Sequence, residues 1–238
     1  MKASLPVGRP RTRRELLKMA PLAAAGLLFT ERGRSWVVRS GLALSDRASA
    51  LMFRPTHLAP EFDDRDVTPL SSYPLNSYLT HDPEVDLDVW TLDVSGLVAQ
   101  PRSFTLDAIR QLPSTVQNTR HICVEGWDVI GNYGGVRVAT FLEHIGADIG
   151  ARYVQVQCAD DYYESIDMAS ACHPQSLLCY EMHGAPLTRE HGAPLRLVMP
   201  TKLGYKQAKY IVSLEVTNVL SARRGYWEDL GYGWYGGI

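Results

Sequence analysis

The sequence lacks most of the signatures by which enzyme classes are read directly. Four cysteines in 238 residues do not make a disulfide framework, because a chain this long buries enough core to fold without staples. The run from Cys172 to His183 holds two Cys and two His, but at C-x6-C spacing and with no second pair to answer it, unlike a zinc knuckle. Spacing leaves a Cys172–Cys179 bridge open. No G-x-G-x-x-G leads from a strand into a helix, and there is no Walker loop, G-x-S-x-G elbow or H-E-x-x-H helix, which argues against Rossmann, P-loop, α/β-hydrolase and zincin chemistry. There is no internal repeat. The N-terminal apolar run, Met19 to Phe29, falls short of the roughly 20 residues that cross a bilayer.

Charge is scarce and uneven. Residues 1–50 carry ten Lys and Arg against three Asp and Glu, or +7, which leaves −9 for the rest of a chain of net charge −2. An acidic body excludes the clustered cationic face that phosphodiester backbones require, so nucleic acid is not an expected partner. The basic end has a pattern of its own. Arg13-Arg14 is followed by Glu15, Leu16, Leu17 and Lys18 and then by the short apolar run, which is the layout of a twin-arginine export signal. Ala48-Ser49-Ala50 is a small-residue site of the kind at which signals are removed. The expected organisation is therefore a signal and basic tail over 1–50 and one domain over 51–238, outside the cytoplasm. The twin-arginine route moves folded proteins, so a cofactor inserted in the cytoplasm travels inside its protein.

Within the body, residues 51–86 read as irregular, broken by Pro55, Pro60, Pro69, Pro74 and Pro83. From Asp88 onward, short alternating segments predict strands: DVWTLDVSG, TVQNTRHICVEG, RYVQVQCAD, YYESIDM, LLCYEMHG, PLRLVMP and AKYIVSLEVTN. SFTLDAIRQLP predicts a short helix capped by Thr105 and stopped by Pro113. VRVATFLEHIGAD predicts a short strand passing into a helix, and a further short helix is expected around Ala169–Cys172. The aromatic, glycine-rich GYWEDLGYGWYGGI reads as a capping segment. The sum is an α+β fold of mixed or antiparallel sheets with short helices.

Three stretches carry chemistry. Cys123, in TRHICVEGW, follows Arg120 and His121 and precedes Glu125; strand alternation puts His121 and Cys123 on one face and Arg120 on the other. A thiolate is a soft metal ligand, or a nucleophile where a cation lowers its pKa; spacing alone equally allows a buried core thiol. The run 190–209 gathers His191, Arg196, Lys202, Lys206 and Lys209 among glycines, a composition that suits an anionic group such as a phosphate, or a solvated basic edge. The turn around Asp160, Asp161, Tyr162, Tyr163 and Glu164 places phenols where they could donate to an oxyanion.

Taken together, CVEGW, ADDYYESIDM, the run from HPQSLLCYEMHGAPL to GYKQAKYIVSLE, and GYWEDLGY resemble the molybdopterin-binding core of the sulfite oxidase family over about residues 70–230. The chain is most similar to the family's short exported members, without its haem domain or its immunoglobulin-like dimerisation domain. The resemblance implies a molybdopterin-binding fold and molybdenum ligated by the Cys123 thiolate. It implies cofactor contacts from Asn76, Tyr78, His191 and Arg196, a phosphate contact from Gly204, Tyr205 and Lys206, and an active-site phenol at Tyr162. The implied activity is oxygen-atom transfer on a small or protein-bound substrate, as reduction of a sulfoxide or similar S- or N-oxide, with sulfite oxidation or a non-catalytic binding role as alternatives. A separate haem protein, membrane-bound or not, would exchange the electrons. Where relatives often carry Arg just before the metal cysteine, this chain has Ile122, which weakens sulfite as the substrate.

Overall fold

The computed structural model describes residues 30–79 and 81–238; the twin arginine and the apolar run 19–29 lie outside the described residues. Among the described residues the first element is helix α1, Glu31–Met52. Its start is fixed by Thr30, whose side-chain oxygen accepts from the Gly33 amide at 3.0 Å. The sequence suggests a tail ending at residue 50, yet the compact body begins at Asp46, and Ala48-Ser49-Ala50 falls inside the helix.

Residues 53–87 are largely irregular, as expected, but they are pinned. The Ala59 amide donates to Gln175 Oε1 at 2.8 Å, the Gln175 amide returns a bond to the Ala59 carbonyl at 3.0 Å, and the Phe62 amide bonds the Asn118 carbonyl at 3.0 Å.

Two five-stranded sheets follow. In the first, the order is β2 (Arg102–Thr105), β1 (Thr91–Gly96), β10 (Ile211–Thr217), β5 (Tyr153–Cys158) and β6 (Tyr163–Asp167). Only the β1–β10 pair in it is parallel. The second sheet runs β3 (Ser114–Ile122), β4 (Asp128–Arg137), β7 (Leu177–Met182) and β8 (Ala185–Pro186), with β9 (Arg196–Val198) also paired to β7. Alternation buries Leu92 and Val94 of β1 and Val154 and Val156 of β5 while their neighbours face outward. These side chains pack with Ile109 of helix α2 (Leu106–Arg110) and Phe141 and Leu142 of α3 (Val138–His144) into the larger core. Tyr133, Leu177, Cys179 and Val198 form a smaller core within the second sheet. Helices α4 (Met168–Ala171) and α5 (Tyr226–Asp229) are single turns. This is the α+β arrangement the sequence predicts.

Two local differences have physical reasons. Thr105 does cap α2, accepting from the Ala108 amide at 3.2 Å, but Arg102–Thr105 before it is a strand, paired to β1. Strand β4 begins at Asp128, far upstream of the predicted strand, and contains Gly131, Gly134 and Gly135. Glycine is a poor strand former in isolation, but here close approach demands it. The Tyr133 ring lies over Gly131, and a Cβ at Gly135 would overlap the Leu178 carbonyl, where the β4–β7 ladder shifts register. All four cysteines are free, and Cys179 is fully buried on β7.

Gly135→Ala is expected to destabilise the fold by about 2–3 kcal/mol, since the partner at the clash is backbone and cannot turn aside. Denaturant unfolding of the full chain checks this.

Candidate active site

Strand β3 ends at Ile122, and the chain turns tightly before β4. The Cys123 amide bonds the Trp127 carbonyl at 3.0 Å, and the Gly126 amide bonds the Cys123 carbonyl at 3.2 Å, with Gly126 at φ +94°, a conformation that favours glycine. The turn leaves the Cys123 thiol 8% exposed at the floor of a cleft of about 970 Å³, open mouth included. Burial pushes this thiol up from its ordinary pKa, against the help of nearby hydrogen bonds. Asn76 Nδ2 lies 3.6 Å from its sulfur and 3.3 Å from Glu125 Oε2. The Trp127 indole holds the same carboxylate oxygen at 2.9 Å. Glu125 thus stands fixed beside the thiol.

His121 faces the same cleft, stacked on Trp127 with ring centroids 5.7 Å apart. Burial, reinforced by the Arg196 charge, holds it down to about 3, so it is neutral. Its Nδ1 pairs with Gln207 Oε1 at 3.2 Å. A Cβ at Gly204 would lie 2.8 Å from His121 Nε2, so glycine is what lets the 204–206 turn approach the ring. Arg120 points away, bound to Asp128 at 3.2 Å and lying over the Phe62 ring.

The opposite wall comes from the segment between β8 and β10. Arg196 is 4% exposed; its NH1 donates to the His191 carbonyl at 3.0 Å, while its Nε is buried without a partner. His191 has its Nδ1 held by Thr188 at 2.8 Å and its Nε2 likewise without a partner. Burial and then Arg196 lower the His191 pKa, and the same two causes push Lys209 down to about 8. Lys209 Nζ bonds the carbonyls of Asn76 and Glu190 at 2.8 and 3.0 Å, tying the Asn76 segment to this wall. Tyr78 donates to the Asp160 carbonyl, and Tyr162 to the Tyr205 carbonyl.

The structure therefore gathers Asn76, Tyr78, Cys123, Tyr162, His191, Arg196, Gly204 and Tyr205 around one cleft. It does not bring the Lys206 side chain there. Lys206 is 1% exposed, and its ammonium lies 2.5 Å from Glu164 Oε1, 2.5 Å from Glu228 Oε1 and 2.9 Å from the Ser165 carbonyl. Burial works against that charge, but the two carboxylates outweigh it and raise its pKa. All three ammonium protons are used in the interior, so this side chain, expected from the resemblance to contact a phosphate, lies outside the cleft lining. His121 and Lys209, which the sequence sets beside Cys123 and within the basic run, also line the cleft, and sequence reasoning misses Trp127, Trp227 and Tyr232, which line it too. The signal for His121 is its place on the same strand face as Cys123; Trp227 and Tyr232 lie in the C-terminal segment that reads as a cap.

Residues 79–227 match the family described as oxidoreductase molybdopterin binding domain. The chain belongs to that family. It is 50% identical over 188 residues, 78% of this chain and 70% of the other, to the putative protein-methionine-sulfoxide reductase subunit YedZ1 of Azospira oryzae. It is 33% identical over 174 residues, 56% of this chain and 44% of the other, to the sulfite oxidase of Arabidopsis thaliana. Among solved structures it resembles the sulfane dehydrogenase SoxCD of Paracoccus pantotrophus, with a TM-score of 0.56 and 22% identity, over 60% of this chain and 42% of that one; that likeness concerns the fold. This molybdopterin-binding oxidoreductase takes molybdopterin and molybdenum as cofactor. The cleft suits such a group: a lone soft donor on the floor, and on the wall a buried guanidinium and imidazole whose free nitrogens, Arg196 Nε and His191 Nε2, await an acceptor.

Lys206→Met is expected to cost about 3–5 kcal/mol, because it leaves two buried carboxyls without their cation. Denaturant unfolding of the cofactor-free chain separates this role from a phosphate contact, which would show no loss without cofactor.

Proposed function

We propose that this oxidoreductase is the catalytic subunit of an exported oxo-transfer enzyme that reduces a sulfoxide or a similar S- or N-oxide. Cys123 binds molybdenum as thiolate, supported by Asn76. His191, Arg196, Asn76, Tyr78 and the backbone of Gly204 and Tyr205 would hold the pterin and its phosphate. The bound cofactor supplies the two-electron chemistry, in which a sulfoxide, two electrons and two protons give a thioether and water. The protein does the rest. Arg196 and Lys209 neutralise anionic charge on the wall, Tyr162 is fixed by the Tyr205 carbonyl, and Trp127, Trp227 and Tyr232 exclude water.

The observation that carries the substrate class is the carboxylate of Glu125, held beside the thiol by Asn76 and Trp127, with Arg120 turned away to Asp128. A neutral sulfoxide is indifferent to that charge; an anion such as sulfite is repelled. Sulfite oxidation is the second reading, favoured by Arg196 and Lys209 in the same cleft. Export rests on the Arg13-Arg14 signal. A separate haem partner is inferred for the electrons, and the name of the Azospira oryzae relative, which calls it a subunit, agrees with a two-part system.

The molybdenum-loaded protein, given an artificial electron donor, is expected to reduce methionine sulfoxide and to turn over sulfite poorly; oxidation of sulfite with no sulfoxide reduction overturns the substrate reading. Cys123→Ser should lose turnover and bound molybdenum by more than about 100-fold, while the stability of the cofactor-free chain moves by less than about 1 kcal/mol. Glu125→Gln should raise the ratio of sulfite to sulfoxide kcat/KM by about fivefold, the equivalent of ~1 kcal/mol of repulsion removed, measured by steady-state kinetics on both substrates.

A further inference from the structure

The last two turns of α1 are tied to the body of the protein at Asp46, while Ala48, Ala50, Leu51 and Met52 stay exposed. The Asp46 carboxylate accepts the Trp234 amide on one oxygen at 2.9 Å and the Tyr235 amide on the other at 3.0 Å. Tyr235 is gripped from its other side as well, since Lys202, 1% exposed, donates to the Tyr235 carbonyl at 2.9 Å and lies 3.0 Å from the centre of its ring. Phe53, just past the helix, meets the Tyr235 ring edge-on at 6.2 Å and the His173 ring at 5.9 Å.

The segment held in this way is the one that walls the cleft. It runs on from Trp227 and Tyr232, which line the site, and is tied to the 204–206 turn by the Tyr205 hydroxyl, 2.7 Å from the Gly233 carbonyl. Ala48-Ser49-Ala50 lies between Asp46 and Phe53 on a formed helix, where the Phe53 amide bonds the Ser49 carbonyl at 2.9 Å. Proteases cut chain that is exposed and free to open, and a helical stretch anchored on both sides resists this. Cutting after Ala50 would also remove the carboxylate that holds the Trp234 and Tyr235 amides, just beyond the lining residue Tyr232.

We infer that Ala48-Ser49-Ala50 is not a processing site, and that the working enzyme keeps α1 from Asp46 onward as the clip that fixes the C-terminal wall of its cleft. The statement about processing rests on the export reading; the clip does not.

Two measurements on the full-length, cofactor-loaded protein test this. Residue-resolved hydrogen exchange should find the Trp234 and Tyr235 amides protected, and Asp46→Ala should speed both by at least about tenfold and lower Tm by about 2–6 °C. Asp46→Asn, which keeps one acceptor, should fall between. Equal exchange of these amides in wild type and Asp46→Ala overturns the clip. Intact mass of the exported protein should place its first residue at or before Asp46, and active enzyme beginning at Leu51 overturns the inference outright. Protein that stays in the cytoplasm defeats the export reading instead, and the exchange experiment still decides the clip.

Discussion

One ammonium between two carboxyl groups, in an interior closed to water, sets the geometry on which the cleft depends. Lys206 comes from the 204–206 turn, Glu164 from β6 and Glu228 from α5, and Ser165 supplies the third acceptor. Taking these charges out of water costs several kcal/mol per ion, and only close contacts with every donor used offset it. The cluster therefore tolerates little displacement of any of its three elements. Burial, and after it Glu228, push the Glu164 pKa up, against the pull of Lys206. A Cβ at Gly225 would run into both Glu228 and Glu164, which is why the chain enters α5 through glycine. With Glu228 held, Tyr226 packs on Tyr78 at 4.5 Å and on Tyr162 at 5.6 Å between ring centroids, and Trp227 takes its place in the cleft.

The same cleft separates two kinds of charge. Its wall carries Arg196 and Lys209 with two imidazoles that burial and Arg196 keep neutral. Its mouth carries Glu125 and Glu190, both exposed. By Coulomb's law the two cations favour an anionic group at the wall and the two carboxylates disfavour one at the mouth. Under the proposed function, holding a charged cofactor at the wall and admitting a neutral substrate at the mouth are compatible within the same cleft.

Much of this is legible in the sequence, and the rest is hidden for identifiable reasons. Strands such as β1 and β5 show their alternation because one face is buried. β4 hides it, because Gly131, Gly134 and Gly135 answer to close neighbours that only the fold supplies. α1 reads as tail, since its arginines and small residues are spread around the helix and the feature that anchors it, Asp46, pairs with residues 188 and 189 positions away. In the candidate site, residue types point to segments that do line one cleft, but a single 3-10 turn decides direction. Side chains there step by about 120°, so Gly204 and Tyr205 reach the cleft while Lys206, next in sequence, turns inward.

The location of the cleft follows from the path of the chain between the sheets. Cys123 and His121 close the end of β3 in the second sheet, whereas Asp160 and Tyr162 occupy the turn between β5 and β6 in the first. The chain crosses from one to the other through residues 199–210, leaving β9 after Arg196–Val198 and entering β10 at Ile211. That crossing carries Gly204, Tyr205, Gln207 and Lys209 past the thiol, and the Gln207 amide, bonded to the Met199 and Lys202 carbonyls at 3.2 and 3.1 Å, keeps it tightly folded on itself. Neither sheet alone holds both the soft donor and the wall with Arg196 and Lys209. The crossing segment brings them together, which is why the densest run of functional residue types lies within it.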